Sequence, residues 1–202
     1  KALMGADYLF RRRGPLSAQP ALLAVFARVM EDAVAPDVQI HASAASYNRV
    51  GGPVDNFPGM TSAVGMQRPE SRGHVHASSP EPDMPPEVLN NYLATEYDCE
   101  VAIRSIQLVR RIMTAPALAR FEPEEISPGP GVSSREAILE FARQTVATTF
   151  HPVGTCKMGR GSDAVVDDRR RVQGLEGLRG VDASIMPPIP SGNTCAPVGM
   201  MA

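Results

Sequence analysis

With 202 residues, 20 Lys and Arg against 22 Asp and Glu, and a formal net charge of −2, the chain has no basic excess to track a phosphate backbone, which excludes nucleic acid as its main partner. Hydrophobic residues at 43% suffice for a core, and no apolar run approaches the roughly 20 residues of a membrane helix. Three cysteines (Cys99, Cys156, Cys195) without a CxxC pair exclude a disulfide framework, a zinc ribbon and a thioredoxin-type centre, leaving a soluble protein, cytoplasmic by default.

With 19 Pro, 17 Gly, no Trp and 5% aromatic residues, much of the chain must be loop and turn. It opens at Lys1 and closes inside the apolar run Val198–Ala202. Both ends read as cut, and no export signal can be sought in such a start.

In chain order, Leu3, Met4, Tyr8 and Leu9 have helical spacing within Ala2–Arg13, and Arg11–Arg13 suit the negative end of a helix that Gly14-Pro15 stops. Val38–Ala42 alternates apolar and polar residues after Pro36-Asp37, the pattern of a half-buried strand. Val50 to Gly59 carries the turn chemistry of a loop. Gly73–Ser78 reads as another strand, on which His74 and His76 share a face. No Asp, Glu or Cys is spaced to complete a metal shell with them, so the pair reads as the polar face of a sheet, with no metal expected. Ser79–Pro86 is too proline-rich for anything but an extended connector.

Thr95-Glu96-Tyr97-Asp98 resembles a capping box opening a helix, with Ala102, Ile106, Val109 and Met113 at spacings of three and four. Ser133-Ser134-Arg135-Glu136 opens a second helix, from Ala137 to about Thr149, after a loop at Ser127–Gly131. Strands followed by helices, without a regular βαβ rhythm, predict an α+β fold built on an antiparallel sheet.

After Phe150 the composition changes. His151 heads the glycine-punctuated loop His151–Gly159 and reads either as a general base or as a structural hydrogen-bonder. Cys156 has no nearby helix start or second histidine to activate it and reads as a small buried thiol. Gly159–Ala164 matches the dinucleotide fingerprint GxGxxA, but no buried strand precedes it and a charged run follows, so the match is accidental. Leu178–Val181 reads as a short strand ending in Asp182. There Asp182 either meets a ligand or caps a turn. Ser191, Asn193 and Thr194 are N-cap types before an apolar helical run from Cys195, where an anion or a simple cap fits.

These residues in order carry a family resemblance. His151–Gly159, Val166-Asp167, Arg171–Arg179, Val181–Ser184, Pro187 and Ser191–Thr194 resemble the C-terminal signature of the glucose–methanol–choline (GMC) flavoprotein oxidoreductases. Gly14-Pro15-Leu16, Pro36–Gln39, Arg68–Gly73 and Asn91–Leu93 resemble that family's substrate-domain landmarks. Gly180 departs from the pattern, standing where relatives carry a β-branched residue.

The resemblance implies an FAD-dependent oxidation of an alcohol to an aldehyde or ketone, with hydride passing to flavin N5. His151 would be the base and Asn193 its partner at the second catalytic position, while Asp182, Ala183, Asn193 and Thr194 would meet FAD. It also implies a substrate-binding domain at 1–150, a segment of the FAD-binding domain at 151–202, and a missing N-terminal FAD-binding half as partner. The C-terminal strand and helix would then belong to an incomplete α/β FAD-binding domain. The small-molecule alcohol reads as uncharged and primary, since a choline-type ammonium wants an aromatic cage and the chain has no Trp. Two other readings are a flavin-free fragment that only binds small molecules or partners, and a non-redox, cyanohydrin lyase-like use of the scaffold.

Overall fold

The computed structural model describes residues 2–14, 17, 21–49 and 52–202. Its elements are α1 (Ala2–Arg11), β1 (Leu23–Ala27), β2 (Val38–Ser43), β3 (Thr61–Met66), β4 (His74–His76), β5 (Glu87–Leu89), α2 (Glu96–Met113), α3 (Arg135–Thr145) and α4 (Cys195–Met201). Short 3-10 turns cover Pro116–Phe121 and Ala183–Ile185. Pro15 and Leu16 of the Gly14-Pro15-Leu16 landmark, and Val50 and Gly51 of the expected loop, lie outside the described residues.

The predicted α+β arrangement is present. β2 lies between β1 and β3, antiparallel to both, with Val25 opposite Ile40 and Ile40 opposite Val64. The strand expected at Val38–Ala42 is found, but Val38, Gln39 and Ile40 are all buried rather than alternately so. The reason is position: β2 is the central strand, and α2 packs on both β2 and β3. β1 was not expected, because its composition gives no alternation. It is an edge strand with Leu23, Val25 and Phe26 exposed. α1 forms but ends at Arg11 rather than Arg13, because Arg12 turns to φ +53°; an Asp7–Arg11 ion pair spans its last turn and the Arg12 guanidinium lies over the Tyr8 ring.

The Ser79–Pro86 segment is not an extended connector. It turns at Pro82-Asp83 and returns as β5, antiparallel to β4.

Thr95 caps α2 as expected, its side chain accepting the Asp98 N–H at 3.2 Å. The reciprocal half of a capping box is absent. The buried Asp98 carboxylate instead accepts the N–H groups of Glu70 (2.8 Å) and Ser71 (2.9 Å), pinning the 69–72 segment against the helix. α3 is capped by Ser134, whose hydroxyl accepts the Ala137 N–H, so Glu136 stands one position too early for a capping box. It ends at Thr145 rather than near Thr149, because Val146 turns extended and the run after it is rich in β-branched residues.

α2 and α3 pack together through Cys99, Ala102, Ile106, Leu139 and Ala142, with Leu93 and Met66 from the adjoining chain. Glu100 on α2 ties them at the surface, accepting from Arg104 and from Arg135 of α3. In the C-terminal segment Ala164, Val166, Ile185 and Met186 are buried, with Val166 and Ile185 both beside Gly180. The strand expected at Leu178–Val181 is only one antiparallel bridge, Arg171 with Arg179, while the helix expected after Thr194 is α4. No helix among the described residues is long and apolar enough to cross a membrane.

Candidate active site

His151 is delivered by a turn that the sequence does not announce. Phe150, immediately before it, adopts φ +61°, a left-handed conformation that costs a bulky residue roughly 1–2 kcal/mol. Its N–H donates to Thr148 Oγ1 at 2.9 Å, which braces the turn. Backbone strain of this kind collects at functional sites.

From there the loop is stitched to the Ala183–Ile185 turn. The N–H groups of Gly154, Cys156 and Met158 donate to the carbonyls of Ala183 (3.4 Å), Ser184 (3.0 Å) and Ile185 (2.8 Å). Gly154 is required twice over: its φ is +85°, and a Cβ there would stand 3.1 Å from the Met186 carbonyl oxygen. Beneath the stitch, Val166 and Ile185 are wholly buried, and Met158 bridges to Val166. Gly180 packs over the same two residues, where a Cβ would lie 3.4 Å from each. The GxGxxA match at Gly159–Ala164 forms bends followed by the Val166 bridge, not a helix start, as the flanking residues predict.

Asp182 caps the 3-10 turn, its Oδ1 accepting the Ser184 N–H at 2.7 Å. Hydrogen bonds from the Ser184 hydroxyl and N–H hold its carboxyl below the usual carboxylate range. Of the two roles open to it from sequence, capping is the one the geometry displays, although the side chain remains exposed.

Thr194 stands at the start of α4 but does not cap it with its side chain. It is buried, and its Oγ1 lies 3.1 Å from His151 Nδ1, across 43 residues of chain. Asn193 is exposed beside it and makes no hydrogen bond among the described residues. The fold therefore brings His151 and Thr194 into contact and joins Ala183 to the His151 loop through Gly154. It sets Asn193 at the rim without bonding it to His151. The contact between His151 and Thr194 was not read from the sequence. Neither residue's neighbours signal it, because it depends on the stitched loops.

His151 is half-buried and Asn193 exposed. Two clefts, one of about 250 Å³ beside Asp32, Asp37, Arg68, Glu70 and Tyr97 and one of about 590 Å³ along residues 171–179, are lined by neither His151 nor Asn193. Burial, aided by the Asp37 and Asp32 carboxylates, raises the Tyr97 phenol above its ordinary pKa.

His74 and His76 share a face, as their spacing predicts, with ring centroids 4.3 Å apart. The residue that joins them is one the sequence did not place there. Glu87 of β5 lies opposite His76 in the hairpin register, with Oε1 3.7 Å from His74 Nε2.

Residues 69–202 match the GMC oxidoreductase family. The chain is 42% identical over 201 residues to an oxygen-dependent choline dehydrogenase of Chromohalobacter salexigens, covering 98% of this chain and 36% of that protein. It is 41% identical over 190 residues to the Escherichia coli protein of the same name, covering 94% and 34%. The chain thus spans about a third of the length of the curated relatives it matches. Among solved structures, pyridoxine 4-oxidase from Mesorbium loti superposes with a TM-score of 0.78 at 31% identity, covering 89% of this chain and 36% of that one. Formate oxidase from Aspergillus oryzae shares the fold, with a TM-score of 0.84 at 20% identity over 98% of this chain and 39% of that one. From Arg68–Gly73 to the loop that sets Thr194 against His151, the chain belongs to the GMC family of FAD-dependent oxidoreductases, matching the C-terminal portion of its members.

Proposed function

We propose that this chain forms part of an enzyme that oxidises a small alcohol to the aldehyde or ketone, with His151 as the proton acceptor. The observation that carries the reading is the His151–Thr194 hydrogen bond, which joins the two ends of the C-terminal motif. If Nδ1–H donates to Thr194 Oγ1, the lone pair of Nε2 is left free to take the substrate hydroxyl proton. Asn193, exposed and unbonded beside Thr194, has an amide available to hydrogen-bond the substrate oxygen. Thr194 itself is a positioning residue, acting through the imidazole.

The residues present fit FAD in kind. Asp182 offers an exposed carboxylate held in its charged form, an acceptor for hydroxyl groups of the ribityl chain. Ala183 offers close approach without side-chain bulk, and Asn193 and Thr194 would complete the edge of the site. When bound, FAD supplies the two-electron acceptor that takes the carbinol hydride. Residues 1–150 then form the substrate-binding domain and 151–202 the segment returning to the FAD-binding domain, with the remaining FAD contacts supplied by an N-terminal half.

For the substrate, the names of the relatives at 41–42% identity favour choline-type alcohols over the uncharged alcohols that the low aromatic content suggested. The test is anaerobic flavin reduction in the full-length protein, with choline and an uncharged primary alcohol compared. His151→Ala is expected to slow reduction by roughly 10²–10⁴-fold. Near-normal reduction in that variant would remove His151 from the base's role.

A further inference from the structure

We infer that His74, His76 and Glu87 form a site for a divalent transition-metal ion, of the zinc type, on the β4–β5 hairpin. Two imidazoles and one carboxylate are the donor set such ions take, and one that calcium and magnesium, which prefer oxygen, do not. One ligand atom from each residue lies within 4.8 Å of the others. A tetrahedral ion with bonds near 2.0–2.1 Å holds its donors about 3.4 Å apart, so closure needs only side-chain rotation.

The backbone already fixes the arrangement. His74 and His76 are two apart on β4 and so face the same way, and Glu87 stands across from His76 on β5. Gly73 permits this register. A Cβ there would lie 1.8 Å from the Leu89 carbonyl oxygen, so any other residue would push β5 away. The near-parallel stack of the two rings, 17° between planes, keeps both imidazoles over one patch of the ribbon. Val75 and Val88 occupy the opposite face; on the metal face Leu89, opposite His74, is the one apolar residue of the three pairs.

Three protein donors leave a fourth position for water or an external ligand. The ion would cross-link a two-stranded ribbon of three residue pairs at the mouth of the 77–86 loop. A ribbon that short is marginal unaided, so the clamp would order the loop.

The test is calorimetric titration of the metal-free full-length protein with zinc. One equivalent is expected to bind at these residues, with affinity falling at least tenfold in His76→Ala and in Glu87→Gln and unchanged in His41→Ala. In parallel, zinc added to histidine-labelled protein should shift the imidazole resonances of His74 and His76. The inference is overturned if no zinc binds at millimolar concentration, if the two variants bind as the wild type does, or if the shifted resonances belong to other histidines.

Discussion

Arg68 donates its Nε–H to Ser191 Oγ at 2.6 Å, joining residues 123 apart in the chain. Arg68 opens the segment that Asp98 pins to α2, and Ser191 opens the loop that carries Asn193 and Thr194. The contact is exposed, so its worth to global stability is small, about 0.5–1 kcal/mol. Its effect falls on the loop. In Arg68→Ala, amide hydrogen exchange over residues 191–195 should quicken several-fold while the melting temperature moves little. Unchanged exchange there would show that the loop is held by other contacts.

Thr194→Val keeps the shape of a buried side chain and removes the hydroxyl that meets His151. Flavin reduction by alcohol should slow about tenfold, and the pH profile of that rate should shift, because the imidazole loses the partner that selects its tautomer. Thr194→Ser, which restores the hydroxyl, should recover both. A loss of rate with an unmoved pH profile would assign Thr194 to packing alone.

Asp98 is 1% exposed and accepts two backbone N–H groups from the 69–72 segment. Asp98→Ala leaves both donors unsatisfied and should cost about 2–4 kcal/mol by denaturant unfolding, since hydrogen bonds to a charged group are worth about 1.5–3 kcal/mol each and are not additive. Asp98→Asn, which keeps one acceptor, should cost less.

Hydrogen bonds from Arg104 and then Arg135 hold the Glu100 carboxyl below its ordinary range. A carboxyl lowered in the folded state stabilises it at every pH above the unfolded value near 4.3, and that stabilisation is lost as pH falls through the lower, folded value. In Glu100→Gln, stability near neutrality should drop by about 1 kcal/mol, and the decline of stability below pH 4.3 should become shallower. Chemical denaturation at neutral and acid pH, with wild type and variant side by side, checks both.

The parts of the fold that were legible in the sequence are those set by neighbours along the chain. Thr95 and Ser134 announce their helices because a cap acts within three residues. β1 could not be read, since Leu23–Ala27 gains its identity as a strand only by pairing with β2. β5 was hidden among prolines, and with it Glu87, whose place opposite His76 is a matter of hairpin register. The site behaved likewise. His151, Asp182, Asn193 and Thr194 were recognisable as a series. The hydrogen bond between His151 and Thr194 was not, because it rests on two loops meeting over Val166 and Ile185.

That meeting has a mechanical consequence. Three backbone hydrogen bonds fasten the strip after His151 to the turn that begins at Asp182, and both rest on the same buried pair of side chains. Pulling the strip away from the turn means breaking all three of those bonds. On the proposed reading, a group held at Asp182 would be tied through those bonds to the strip that follows the imidazole.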